Sequence, residues 1–410
     1  MLDQIPPGCW YRRDQGTQGE RGVTRAERAR PVDNVSARYV RSAQALAKKL
    51  RVTGMSRQRE LADQLGVSAA TVSRALNDKP GVSTETRRRV VAAAREMDYR
   101  PNAAARALTT ATTRTIAFAV HRRQFPLAID PFYPGIMRGL EETLAVEHYG
   151  VMLLTLSDED IQAGPGSLPV LQEGRVDALV AAGPDIPPQF ILAAASGSLP
   201  VVLVDNALRE TAIPTVTSDD SGGCRAATAH LVEMHGHTSI ALLRGTPGWV
   251  SSDERSAGYC KAMDAAGLEP RVVSVEGTTI ETGAEAFTEV LETWPDVTAV
   301  VAVNDAMAIG AIRRARELGR EVPEDLAVVG FDDISWAELS DPPLTTVRVP
   351  IVQIGRRAGR VLLDHFDEVV TVSSRTTLAT ELVVRTSCGC APSPRDGVAF
   401  NGGRQRSDQL

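Results

Sequence analysis

The spacing of apolar residues changes character along the chain. Between about Ser56 and Thr109 they recur at helical intervals in short, dense segments. Leu61 and Leu65 lie four apart, as do Val72 and Leu76, and Val90, Ala94 and Met97 form a third stripe. Beyond that, short β-branched runs alternate with amphipathic stretches. The runs are "TIAFAV", "YGVMLLTL", "VDALVAA", "PVVLVD", "SIALLRG", "RVVSVEG", "TAVVAV" and "LAVVGFDD"; the helical stretches include 134–148, 221–235, 252–267, 281–293 and 305–318. Short apolar strands alternating with helices predict βαβ units and parallel sheets with helices on both faces. The series divides into two lobes, about 113–217 and 218–322. Residues 1–54 and 391–410 hold few large apolar residues and are predicted to be disordered, with a short helix at about 36–51.

This pattern divides the chain into a basic extension (1–54), a small helical module (55–100), a connecting segment (101–112), a two-lobed α/β body (113–390) and a tail (391–410). Charge sharpens the division. Residues 1–109 carry 21 Lys+Arg against 11 Asp+Glu, and the remainder 24 against 40, within a net charge of −6. A basic first quarter on an acidic body fits a nucleic-acid-binding module joined to a domain of another kind. A disordered basic tail gives the same sum. No apolar run reaches the length of a membrane span, and the first residues lack a secretory core. Five cysteines spread over 410 residues argue against a disulfide framework, so the expected compartment is the reducing cytoplasm.

In "SRQRELADQLGVSAATVSRALN", Gly66 is placed to end one helix and Ser68 to cap the next. Two short helices joined by a tight glycine-containing turn predict a helix-turn-helix, whose second helix enters the major groove. Ser83 caps a third helix that closes the core. "RPNAAARALTT" follows, with Pro101 suited to a first helical turn. At about eight residues, that segment is too short to be a stable helix alone.

The ordered run "LADQLGVSAATVSRALNDKPGVSTETRRRVVAAAREMDYRPNAAARAL" resembles the headpiece and hinge of the LacI/GalR (lactose-repressor) family of bacterial transcription regulators. The likeness continues through "VDALV", "PVVLVD", "GTPGWVSSDERSAGY", "VNDAMAIGA", "LAVVGFDDI" and "PPLTTVRVP", covering about 55–388. It implies a periplasmic-binding-protein-like body and a repressor that binds double-stranded operator DNA as a homodimer, a tetramer being left open. It also implies a cytoplasmic, nucleoid-associated location and control by a small-molecule effector, a sugar or sugar derivative. By the same resemblance the base-reading positions are Ala69, Ala70 and Arg74. Ser68, Thr71, Ser73 and Arg100 are expected at phosphates, Asn102, Ala105 and Arg106 near the backbone, and Leu108 as a wedge in the minor groove. Alanines offer only methyl contact, whereas an arginine can bind guanine in bidentate fashion, so Arg74 should carry most of the direct readout. The family's headpiece starts close to its chain start. The first 54 residues are therefore either an extension or a stretch upstream of a true initiator at Met55.

In the body the resemblance places an effector between the lobes, near the C-terminal ends of the strands. The matching positions are Phe132 and Tyr133 in "DPFYPG", Asp205 ending "PVVLVD", Trp249 and Ser251, Arg255 in "SSDERSAGY", and Asp305 ending "VAVND". Carboxylates with a guanidinium suit adjacent hydroxyls, and an aromatic covers the apolar face of a sugar or base. An enzyme is not expected: the chain has no GxGxxG after its first strand, no GxxxxGK[ST] and no GxSxG. Neither a cofactor nor a metal is expected. "HGH" at 235–237 reads as a helix end with two exposed imidazoles, and "CGC" at 388–390 as two reduced thiols without partners near a frayed end.

Overall fold

A computed structural model describes residues 57–76, 79–99, 112–122, 131–197, 199–208, 211–367 and 375–391. The expected helix at 36–51, the DNA contacts Arg100, Asn102, Ala105, Arg106 and Leu108, and most of the tail lie outside these residues. The described parts fall in two units, a helical headpiece and the body that follows Arg114.

The headpiece is three helices around one small core. The first spans 57–65 and ends at Gly66, whose φ of +64° turns the chain sharply. Ser68 then starts the helix Ala69–Leu76, its Oγ accepting from Thr71 N at 3.0 Å. Ser83 caps the third helix, Thr84–Glu96, through Thr86 N. The core is built of Leu61, Ala62, Val72, Ala75, Val90, Ala93 and Ala94, with Leu65, Leu76 and Met97 packed at its edge. All three stripes expected from the spacing therefore converge. Small residues at the helix contacts allow so short a chain to close its core.

The body holds two six-stranded sheets with helices on their faces. The first contains β1 (Thr115–His121), β2 (Gly150–Leu156), β3 (Ala178–Ala182), β4 (Val201–Val204), β5 (Thr215–Ser218) and β11 (Arg375–Leu378), in the order β11-β5-β4-β3-β1-β2. The second contains β6 (Ile240–Arg244), β7 (Arg271–Ser274), β8 (Ala299–Ala302), β9 (Ala327–Asp332), β10 (Thr345–Arg348) and β12 (Glu381–Val383), in the order β12-β10-β9-β8-β6-β7. Every pairing is parallel except β10 with β12. The central strands β1, β3, β4, β6, β8 and β9 are buried nearly throughout, as their continuous apolar runs predict.

The expected division near residue 217 captures only the first of three passages between lobes. The chain leaves β5 for the helix Asp220–His235, which packs on the helix Val250–Ala265 of the second lobe. After β10 the helix Ile351–Phe366 returns to pack on the first-lobe helix Phe132–Ala145. The chain then adds β11 to the first sheet and β12 to the second. These late strands are short and carry threonine, arginine and glutamate, so their hydrophobic signal is weak. The helix pair is held close by Gly139 and Gly355. A Cβ on Gly139 would lie 2.0 Å from Val352 O, and one on Gly355 2.0 Å from Ile136 O.

Two expectations about the second lobe are corrected. Gly236 does end a helix, at φ +70°, but His235 and His237 are partly buried rather than exposed. Cys388 is 1% exposed, and neither it nor Cys390 lacks partners. Both thiols face His230 and His235, because the segment after β12 runs beneath the end of that helix.

Candidate functional site

Both sheets share one winding, so the loops after their central strands open at the C-terminal strand ends, where α/β folds bind ligands. In this body those loops meet across a cleft lined by Phe132, Tyr133, Pro184 and Asp205 from the first lobe. Trp249, Ser251, Ser252, Arg255, Thr278, Val303, Asn304 and Asp332 line it from the second. Six of the seven residues singled out from the sequence are in this lining. The seventh, Asp305, is not.

Arg255 is the centre of the cleft. It is 5% exposed and its Nε donates to Asp220 Oδ1 at 2.8 Å. Its Nη1 donates to Val303 O and lies 3.1 Å from Asp332 Oδ1. The guanidinium carbon stands 3.9 Å from the centre of the Phe331 ring, a cation–π contact in a desolvated setting. Burial alone would lower its pKa, but Asp332, Asp220 and Asp205 outweigh that and raise it, so it remains a cation. A cation fixed among three carboxylates is an oriented set of donors and acceptors. Those carboxylates come from strand ends and a helix start, so their geometry is set by the sheets.

Asp205 follows β4 with φ +50° and takes a hydrogen bond from Tyr133 Oη at 2.9 Å. Burial raises its pKa to about 7. Arg255 opposes the shift, Asp220 adds to it, and hydrogen bonds from Tyr133 and Ser251 oppose it further. The Ser251 contact reaches across from the other lobe. Gly183, after β3, makes room for Tyr133: its φ is +90°, and a Cβ there would lie 2.7 Å from Tyr133 Oη. Phe132 packs edge-on against Tyr133 with ring centroids 5.2 Å apart. Ser252 Oγ is buried in the lining with no hydrogen-bond partner among the described residues.

Asp305 is fully buried behind the cleft. Its carboxylate accepts from Ile334 N at 2.9 Å and from Thr346 Oγ1, tying the start of its helix to the segments after β9 and in β10. Burial raises its pKa too. Its neighbour Asn304 takes the place expected for it. Asn304 caps the helix Asp305–Glu317 through Met307 N and donates to Thr278 O, while lining the cleft. Asp220, Asn304 and Asp332 are the residues the sequence reading missed. Asp332 is the first aspartate of "VVGFDD" and the last residue of its strand, the same signal that selected Asp205.

In the headpiece, Ala70 and Arg74 are exposed one turn apart on the second helix. Ala69 is partly covered and its carbonyl accepts from Gln58 Nε2 at 3.1 Å. Ser68 and Thr71 share a side-chain hydrogen bond of 2.8 Å at the helix start, and Ser73 is partly buried.

Comparison with known proteins decides the family. The model for bacterial regulatory proteins of the lacI family matches residues 59–102, and that for a periplasmic binding protein-like domain matches 228–388. The chain is 38% identical over 307 residues to the HTH-type transcriptional regulator CelR of Thermobifida fusca, covering 74% of this chain and 89% of that protein. It is 32% identical over 309 residues to the repressor CytR of Escherichia coli K12, covering 75% and 89%. The chain belongs to the LacI family of bacterial transcriptional regulators. Among solved structures, the lac repressor dimer bound to operator and the anti-inducer ONPF gives a TM-score of 0.71 at 28% identity, covering 80% of this chain and 97% of that one. The CelR–cellobiose complex gives 0.61 at 34%, covering 80% and 99%. The LacI-family fold is thus a helix-turn-helix headpiece followed by a two-lobed body of parallel sheets, and its relatives are DNA-binding regulators rather than enzymes. Among the described residues no helix is long and apolar enough to cross a membrane.

Proposed function

We propose that this LacI-family chain is a repressor that binds a pseudo-palindromic operator as a homodimer in the cytoplasm. In this reading it is controlled by a sugar or sugar derivative held between its lobes. The observation that carries the effector assignment is Arg255, buried between Asp220 and Asp332 and facing Asp205 across the cleft. Neighbouring hydroxyls of a sugar can donate to Asp205 and Asp332 and accept from the guanidinium, while Phe132 and Trp249 supply apolar cover. CelR has been solved with cellobiose, and a LacI-family regulator from Enterococcus faecium with bound ribose, which supports the ligand class.

The three passages between lobes allow the lobes to rotate about a short hinge. A sugar that touches both lobes stabilises one angle between them, and operator affinity then changes by the same factor as sugar affinity. Arg74 is the proposed direct reader, with Ala69 and Ala70 in methyl contact, Ser68, Thr71, Ser73 and Arg100 at phosphates, Asn102, Ala105 and Arg106 near the backbone, and Leu108 as the minor-groove wedge.

Calorimetry of the full chain against a panel of mono- and disaccharides tests the effector. One sugar should bind saturably, and Asp332→Asn should weaken it severalfold or more. A panel with no binder would overturn the sugar assignment. Selection of bound fragments from sheared genomic DNA at near-physiological salt tests the operator. A pseudo-palindrome with a flexible central pyrimidine–purine step is expected. Arg74→Ala should cost about 1–3 kcal/mol and relax one position in each half-site. Binding without a motif would remove the repressor reading.

A further inference from the structure

The second lobe contains a convergence of metal-ligating side chains that DNA and effector binding do not use. His230 and His235 lie on the last turns of the helix Asp220–His235, and Cys388 and Cys390 on the segment after β12. One nitrogen or sulfur from each lies within 4.8 Å of the others. His235 Nε2 is 3.3 Å from His230 Nε2 and 3.3 Å from Cys390 Sγ. His230 Nε2 is 3.4 Å from Cys388 Sγ and 3.7 Å from Cys390 Sγ.

We propose that these four residues form a closed tetrahedral Zn²⁺ site. Zinc binds imidazole nitrogen at about 2.0–2.1 Å and thiolate sulfur at about 2.3 Å. At tetrahedral angles those bonds separate two nitrogens by about 3.3–3.4 Å and a nitrogen from a sulfur by about 3.5–3.6 Å. The nitrogen–nitrogen separation of 3.3 Å matches the first value, and the nitrogen–sulfur separations of 3.3, 3.4 and 3.7 Å bracket the second. Hydrogen bonding alone accounts poorly for the arrangement. A nitrogen–nitrogen contact uses one proton, and thiols are weak donors and weak acceptors. A dication at the centre engages all four atoms at once, and two thiolates balance its charge. Softness and geometry favour zinc over magnesium or calcium, which take oxygen ligands.

The local structure is arranged to present these atoms. Gly389 has φ +94°, a left-handed conformation that lets the residues on either side turn their thiols to the same helix end. Its amide donates to Thr386 O at 3.0 Å, closing the turn. Thr345 Oγ1 donates to Cys388 Sγ at 3.1 Å, the kind of outer contact that steadies a thiolate ligand. Ser387 fixes the approach: its Oγ donates to Val328 O at 2.6 Å and accepts from Thr345 N at 2.8 Å. His237 is not part of this convergence; its Nδ1 is paired with Thr298 Oγ1 at 3.0 Å.

With four protein ligands the site has no open position, so its role is structural. His235 and Cys390 are 155 residues apart. The metal would join the helix that follows the first interlobe passage to the segment that follows the last. It is a clasp that closes the second lobe.

The test is metal analysis of the full chain, purified under reducing conditions without chelator. One zinc per chain is expected. Replacement by Co²⁺ should give the intense visible bands of tetrahedral cobalt together with thiolate-to-cobalt charge transfer. Cys390→Ser and His235→Ala, at partly exposed positions chosen to preserve folding, should each abolish stoichiometric zinc and the charge-transfer band or its tetrahedral pattern. Stripping the wild-type chain should lower its Tm reversibly, with recovery on adding Zn²⁺. A zinc-supplemented wild-type chain holding none, or variants that retain full zinc, would overturn the proposal.

Discussion

The interlobe cleft and the histidine–cysteine cluster both gather polar groups inside one body, yet they differ in how the chain assembles them. The cleft is made where the loops after seven strands meet, so its residues follow apolar strands and can be picked out one strand at a time. The cluster joins one helix end to a segment more than 150 residues later. Nothing in the local spacing of either piece announces the other. The cleft is legible from secondary structure, whereas the cluster is legible only from topology.

The largest expected effect tests the electrostatic heart of the cleft. Arg255→Ala would leave Asp220 and Asp332 buried without their counter-ion. Removing one member of a buried pair costs about 3–5 kcal/mol, so chemical denaturation should show a loss of that order. Effector binding should vanish, and zinc content should not change in whatever protein folds. A loss of zinc together with effector binding would mean that the two sites are one cooperative unit.

Metal removal probes the other side. A metal present at about a hundred times its dissociation constant stabilises the folded state by about 2.7 kcal/mol. Chelation should therefore lower stability by about that amount while sugar affinity changes less than it does in the cleft variants. The next effect is smaller. Gly183→Ala places a methyl group against Tyr133 in a left-handed backbone, a strain of about 1–3 kcal/mol. Its Tm should fall modestly and its sugar affinity with it, because Tyr133 would be pushed off Asp205. An unchanged sugar affinity would detach Tyr133 from the binding geometry.

The misassignment of Asp305 shows where sequence reasoning stops within the legible site. "VAVND" correctly marks a strand end, but the turn into a helix rotates successive side chains by about 100°. Asn304 consequently faces the cleft while Asp305 faces the core, and a rule about strand-end carboxylates cannot tell them apart. Asp332 was available to that same rule. The weak strands β5, β10, β11 and β12 follow similar logic: at three or four residues each, their pairing comes from the neighbouring strand rather than from their own apolar content. The cysteines at 388 and 390 are visible as a pair and "HGH" contains His235, but no local motif marks His230, about one and a half turns earlier on the helix.

The smallest effect concerns protons. Burial raises Asp205 from its ordinary 3.8 to about 7. Between those values the folded chain holds more proton at this site than the unfolded chain. The contribution of Asp205 to stability is therefore greatest below about pH 4 and declines as pH rises toward 7, opposite to the behaviour of a salt-bridged carboxylate. A sugar hydroxyl donating to Asp205 favours the ionised form. Sugar binding at about pH 6 should then release a fraction of a proton, and affinity should rise with pH until about 7 and level off above it. Calorimetry in two buffers of different ionisation enthalpy measures that release directly. Asp305 shares the upward direction, but it lies behind the cleft and should contribute nothing to ligand-linked release. Asp205→Asn should abolish the release while leaving zinc bound. If the variant still releases protons on binding, the titrating partner of the sugar is not Asp205, and Asp220 and Asp332 beside Arg255 become the carboxylates to replace next.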